Sequence, residues 1–251
     1  MTSPAQVVAH RGLQRLFPEN TRASVLGALK AGLRYVEIDV QLTKDGVPVV
    51  QHDSALKRMS GRAGDIRDLS WARARRLPAS EPGRFGSHFA RERISTLASL
   101  ARALARWPQA TLFVELKEES LLRFGQDRML AAVDEALAPA RRQCVLISFD
   151  EPVLELARKS TRYRLGPVLR NRSRARSAWM RALKPECLFC NARLLPKRGN
   201  LKPALGLQPR QKLCIYEVPE VGKARDLIAR GADLIETFRA DSLQEELRRW
   251  R

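Results

Sequence analysis

The chain has 251 residues, 46 Lys and Arg against 27 Asp and Glu, a formal net charge of +19, and 44% hydrophobic residues. That apolar content can fill the core of one or two ordinary domains, which excludes a disordered chain, and four cysteines over this length exclude a disulfide scaffold. Charged residues interrupt every apolar run short of the roughly 18 to 20 residues that a membrane-spanning helix needs, and Met1 to Gln6 has neither a basic n-region nor an apolar h-region. A soluble protein of the cytoplasm is the expectation.

In chain order, short apolar runs alternate with amphipathic stretches, without linker or repeat, as in one parallel α/β domain spanning residues 1–251. Strands are predicted at Gln6 to His10, Tyr35 to Val40, Val47 to Asp53, Leu112 to Lys117, Cys144 to Phe149, Arg164 to Leu169, Cys187 to Asn191, Lys212 to Val218 and Asp233 to Thr237. A helix is predicted over Thr21 to Ala31, capped by Asn20 or Thr21, ended by Gly32, with Ala23, Leu26 and Leu29 on its apolar side. Only Gln41 to Gly46 separates the second and third strands, too short for a parallel crossover, so these two form an antiparallel hairpin. A two-residue Asp45-Gly46 turn pairs Lys44 with Val47 and sets Asp39 opposite His52, to within a residue or two. Pro48 points to an exposed arm.

With that arm set aside, eight strands remain, and the length matches a (β/α)8 TIM barrel, here distorted by the hairpin. From about residue 54 to 93 the helical pattern is broken by Gly61, Gly64, Pro78, Pro82, Gly83 and Gly86, which reads as an insertion over the barrel mouth, with a helix restarting near Leu97. Cys187 and Cys190 have the spacing of half a zinc site, but no second pair follows, and in a strand they face opposite ways. Buried core cysteines are expected. Between Glu155 and Glu217 the only acid is Glu186, against sixteen Lys and Arg. A solvated face is the default for such a run, and attraction of phosphate, nucleic acid or an anionic membrane surface is its functional reading.

Polar groups collect where the strands end, which in a TIM barrel is where active sites lie. The first strand ends in His10-Arg11-Gly12, the second carries Glu37 and Asp39 on one face, the arm returns with His52-Asp53, and the next strand ends in Glu115-Leu-Lys117. A single strand carboxylate is commonly salt-bridged, but three within Val/Ile/Leu-rich segments are expensive unless paired or bound to a metal. Oxygen donors without clustered cysteine suit Mg²⁺ or Ca²⁺ better than zinc.

These segments resemble the glycerophosphodiester phosphodiesterase family: Val8-Ala-His10-Arg11-Gly12, Pro18-Glu19-Asn20-Thr21, and Glu37-Ile-Asp39 running on to Gln51-His52-Asp53. Ile94-Ser-Thr-Leu97, Glu115-Leu-Lys117 and Ser148-Phe149-Asp150 are similar to later family motifs. The resemblance implies a distorted TIM barrel that hydrolyses glycerophosphodiesters to glycerol 3-phosphate and an alcohol with a divalent cation. It implies Glu37, Asp39 and Glu115 as metal ligands and His10 and His52 as the acid/base pair. Arg11 and Lys117 would contact the phosphate, and Glu19, Asn20 and Tyr216 the mouth or substrate, with capping the equal alternative for Asn20. The chain departs from the family pattern at Tyr216-Glu217-Val218-Pro219 and at Ile235-Glu236-Thr237, which leaves the alcohol open.

Two further readings stand beside this one. Lysophospholipase D-type cleavage of a lipid that keeps its acyl chain would go with an apolar groove under the insertion. A basic nucleic-acid-binding barrel has no motif or aromatic-interleaved surface in its favour.

Overall fold

The computed structural model describes residues 6–249; the N-terminal stretch read above for a leader, up to residue 5, lies outside them. All nine strands form: β1 (Gln6–Ala9), β2 (Tyr35–Leu42), β3 (Pro48–Val50), β4 (Thr111–Leu116), β5 (Cys144–Ser148), β6 (Arg164–Pro167), β7 (Cys187–Asn191), β8 (Lys212–Tyr216) and β9 (Leu234–Thr237). Eight run parallel in the order β6-β5-β4-β2-β1-β9-β8-β7, and β3 pairs with β2 alone. Between the end strands, Val168 bridges Phe189, and Leu169 N donates to Phe189 O at 2.9 Å, so the barrel nearly closes.

Helices cover the outside because their apolar residues recur at helical spacing. Leu97–Leu104 buries Leu97, Leu100, Ala101 and Leu104, the i, i+3, i+4, i+7 stripe, and Thr96 caps it by accepting from Ser99 N. Each such leucine, fully removed from water, contributes roughly 1.5–3 kcal/mol. Arg22–Lys30 is capped by Thr21 in a capping box with Ser24. Its buried side is Ser24, Val25, Ala28 and Leu29 rather than the Ala23, Leu26 and Leu29 face expected from the sequence.

The barrel lumen has an apolar floor that includes Val8, Phe113, Cys187, Phe189 and Leu234. Gly166 on β6 makes this packing possible: a Cβ there would lie 2.5 Å from Cys187 Sγ and 2.9 Å from Ile147 Cγ2. All four cysteines are free and buried. Cys187 faces the lumen and Cys190 the helices, as strand alternation requires.

The hairpin forms with its register inside the expected margin, one residue from the pairing named above, and it differs from expectation in its burial. Its register is Val40 to Val50, Gln41 to Val49 and Leu42 to Pro48, and Gln51 N donates to Asp39 O, so Gln51 rather than His52 stands opposite Asp39. The cause is a three-residue loop. Thr43 N donates to Val47 O, the Thr43 hydroxyl accepts from Val47 N, and Gly46 takes a φ of +86°. The arm is not exposed: all three β3 residues are buried, Val50 N donates to Ser95 O, and Val49 joins a small apolar cluster with Leu56, Ile66, Ala74, Ala79 and Ile94. Residues 54–93 therefore fold around their own core against β3.

Candidate active site

At the end of β1 the chain turns through two left-handed residues, Arg11 (φ +56°) and Gly12 (φ +80°). Gly12 cannot carry a side chain, because a Cβ would lie 2.5 Å from Ser24 Oγ and 2.7 Å from its carbonyl carbon. For Arg11 this backbone costs on the order of 1–2 kcal/mol, and it is held by Arg11 N donating to Glu37 Oε2 at 3.0 Å and by Asn20 N donating to Arg11 O at 3.0 Å.

Glu37 and Asp39 project from β2 into the lumen, both 1% exposed, and Asp39 is in register with Glu115 on β4. Ligand oxygens of Glu37, Asp39 and Glu115 lie within 4.8 Å of one another. Glu37 Oε1 is buried with no hydrogen-bond donor among the described residues. Two cations stand against this group: Arg11 Nε is 3.2 Å from Asp39 Oδ2, and Lys117 Nζ is 3.1 Å from Glu115 and 3.6 Å from Asp39. Burial and the neighbouring Asp39 raise the Glu37 and Glu115 carboxyls above the ordinary range. Burial works against the Asp39 carboxylate too, but Arg11 and Lys117 outweigh it and hold Asp39 below the ordinary range. Three carboxylates sharing one small space with too little positive charge, one oxygen unpartnered, form a donor set suited to a hard divalent cation.

His10 lies under the same mouth, its ring 4.9 Å from that of Phe238. Its Nδ1 is 2.5 Å from Glu217 Oε1, and its Nε2 is 3.4 Å from Glu236 and 3.7 Å from Glu37. Burial disfavours a charged imidazole, but Glu236, Glu217 and Glu37 together push His10 up to about 10. His52 is held differently: Asp53 Oδ1 is 2.7 Å from its Nδ1, and Asp53 in turn accepts from Arg58 Nε at 2.7 Å.

His10, Arg11, Glu37, His52, Glu115, Lys117 and Tyr216 all line one cavity of about 300 Å³ at the strand ends. Asp39, Glu19 and Asn20 are buried behind it. Glu19 bridges Arg11 (2.9 Å) and Arg58 (2.7 Å). Asn20 does not cap the following helix; its side chain donates to Asp39 Oδ2 at 2.8 Å and accepts from Asp39 N at 3.0 Å. No residue of 54–93 lines the cavity, and that segment reaches the site through Arg58, at one flank of the mouth. His88 is a surface residue against Phe89. Asp150 caps the helix Glu151–Ser160, and Ser148 bonds Leu116 O and Asp150 N, so both serve structure. In the basic span, Arg170 pairs with Glu118 and Arg174 with Glu151.

Two site carboxylates escaped the sequence reading. Glu236 had the signal that flagged Glu37, a carboxylate inside an apolar strand, Leu234–Thr237. Glu217 follows the end of β8, where polar groups were expected to collect, but it stood out only as a departure from the family pattern.

Comparison with known proteins places these features in a family. The sequence pattern of the Glycerophosphoryl diester phosphodiesterase family matches residues 10–200. Glycerophosphodiester phosphodiesterase 1 of Mus musculus is 36% identical over 110 residues, 44% of this chain and 33% of that protein. Glycerophosphodiester phosphodiesterase of Caldanaerobacter subterraneus subsp. tengcongensis is 35% identical over 130 residues, 51% of this chain and 52% of that protein. The chain thus matches a third to a half of the length of these curated relatives. Among solved structures, an Oleispira antarctica phosphodiesterase in complex with the product sn-glycerol-3-phosphate superposes with a TM-score of 0.83 at 25% identity, over 98% of this chain and 97% of that one. Glycerophosphodiester phosphodiesterase from Thermotoga maritima shares the fold, with a TM-score of 0.74 at 22% identity over 98% and 100% of the two chains.

Proposed function

Since the chain belongs to the glycerophosphoryl diester phosphodiesterase family, we propose that it hydrolyses glycerophosphodiesters to glycerol 3-phosphate and an alcohol, with a divalent cation held by Glu37, Asp39 and Glu115. The observation that carries this reading is the meeting of that carboxylate set, with its unpartnered Glu37 oxygen, and two imidazoles at one cavity, which Glu37 and Glu115 line with Asp39 behind them. All three ligands are oxygens, which suits Mg²⁺ or Ca²⁺. When bound, such an ion neutralises charge on the phosphoryl oxygens.

The chain's own residues supply the rest. Arg11 and Lys117 line the cavity beside the carboxylates and offer cationic donors to the phosphate. When His52 is neutral and its Nδ1–H donates to Asp53, Nε2 is left as the acceptor suited to deprotonating the attacking water. His10, ringed by Glu217, Glu236 and Glu37, is kept as imidazolium and can protonate the departing alkoxide. Glu19 and Asn20 position Arg11 and Asp39, and Tyr216 forms part of the substrate wall. Residues 54–93 act as an insertion that supports the site through Arg58. The exposed basic span, beyond its ion pairs, attracts anions and anionic surfaces through a screened field. The expected compartment is the cytoplasm; among the described residues no helix is long and apolar enough to cross a membrane.

The test is release of glycerol 3-phosphate from a panel of glycerophosphodiesters, with chelation and metal add-back. Chelation should abolish turnover and a divalent ion restore it, while Glu37→Gln weakens metal binding in a folded chain. Full activity in a metal-free, chelator-treated preparation refutes the ligand set.

A further inference from the structure

The cavity has two unlike halves. The side formed by β1, β2 and β4 holds Arg11, Lys117, both imidazoles and the metal-type carboxylates, and can satisfy the phosphate's charge. The wall running from β5 to β9 presents three rings, Phe149, Tyr216 and Phe238, above the buried Phe189 of the floor, together with Asn191, Glu217 and Glu236. Among the described residues, no Lys or Arg lines this second wall, although the chain as a whole carries +19.

Glu217 is poorly compensated there. Among the described residues, both its oxygens are sequestered from solvent without an aligned hydrogen-bond donor, and its close partner is His10, whose Nδ1 is 2.5 Å away. That imidazole also faces Glu236 and Glu37, so three carboxylates share one imidazole as their neighbour. The nearby rim arginines Arg170, Arg174 and Arg239 are paired with Glu118, Glu151 and Glu246, and Arg170 also lies over the Phe149 ring, 5.1 Å from its centroid, so one cation already rests on an aromatic face at the rim of this wall. An alcohol rich in hydroxyls would find mostly ring faces on this wall, and an anionic one would meet repulsion. A cationic nitrogen has the complementary chemistry, with ring faces attracting its charge and a carboxylate balancing it.

We propose that the wall from β5 to β9 selects glycerophosphodiesters whose alcohol bears a cationic nitrogen, with Glu217 as the specificity-determining residue. This rests on the hydrolytic reading above, and it adds which alcohol the site takes.

The experiment compares kcat/KM for glycerophosphocholine, glycerophosphoethanolamine and the neutral diester glycerophosphoglycerol. Wild type should favour the cationic diesters by roughly tenfold or more, the size expected of a cation held at aromatic faces and partly desolvated. Glu217→Gln should bring that ratio towards one, and taking the ratio cancels any effect of the variant on His10. Phe149→Leu should lower the ratio for the choline diester without removing a charge. Choline binding to the whole chain, followed by titration calorimetry, needs no turnover: wild type should bind saturably and Glu217→Gln should lose most of the affinity. Hydrolysis without cation preference, or a ratio unchanged in Glu217→Gln, overturns the selectivity while leaving the hydrolytic reading intact. Choline binding without hydrolysis of any diester supports the cation wall and overturns the hydrolytic reading. Absence of choline binding overturns the wall itself.

Discussion

Replacing Asn20 tests how the site is held together. This residue is 3% exposed, adopts a φ of +56°, and makes two hydrogen bonds to Asp39, one to a carboxylate oxygen and one from the backbone amide. Asn20→Ala deletes both. A bond to a charged group is worth roughly 1.5–3 kcal/mol and a neutral one about 1 kcal/mol, and alanine adds about 1 kcal/mol for the left-handed backbone. The expected loss is about 4 kcal/mol, large against the roughly 5–15 kcal/mol that stabilises a domain. Asn20→Gly removes the same bonds but tolerates the backbone, so it should lose about 3 kcal/mol; Asn20→Asp keeps the acceptor for the Asp39 amide and places a new carboxylate against Asp39 Oδ2. Urea unfolding of the four proteins measures these differences, and an unchanged slope shows that stability alone has moved. If Asn20→Ala unfolds within about 0.5 kcal/mol of wild type, the tether to Asp39 does not carry the energy assigned to it.

Gly166→Ala should cost about 1–3 kcal/mol through the clash with Cys187 Sγ at 2.5 Å, and Cys187→Ala should recover part of it; strictly additive effects in the double variant would refute the clash as the cause. Burial pushes the Cys144, Cys187 and Cys190 thiols up to about 12 and the Cys214 thiol well above its ordinary value, so at pH 8 none of the four should react with an alkylating agent unless the chain unfolds. Because the folded chain keeps protons that the unfolded chain gives up above about pH 8.5, the stability these thiols contribute is present below that pH and falls as pH rises towards about 12. A thiol labelled in the native protein at the rate of a free one would contradict this.

The strands were legible because apolar runs of four to six residues between turn signals have few alternatives, and the charged residues at their ends stood out against Val, Ile and Leu. The hairpin register was legible only to within a residue, since Asp45-Gly46 serves both a two-residue and a three-residue loop, and only the Thr43 hydroxyl on Val47 N decides between them. Burial of the arm was hidden because it depends on residues 54–96, whose short turns have no periodicity. Asn20 looked like a helix cap for a related reason. Its partner, Asp39, lies on β2, and local spacing says nothing about contacts between the loop after β1 and that strand. The role of Glu217 was hidden in the same way, being defined by its closeness to His10 on a strand at the other end of the chain.

The pairing of β1 with β9 has a consequence for how the protein is made. Gln6 pairs with Leu234 and Ala9 with Thr237, across more than two hundred residues of chain. At roughly 5–20 residues per second, the ribosome needs on the order of ten to forty-five seconds between synthesising one strand and its neighbour. Throughout that interval β1 has one open edge, which invites association with other nascent chains and favours occupancy by a chaperone. The carboxylates Glu37, Asp39 and Glu115 emerge first, whereas His10 gains Glu217 and Glu236 only once β8 and β9 have been made, so the proposed ion-holding set is complete in a growing chain well before the imidazole is enclosed.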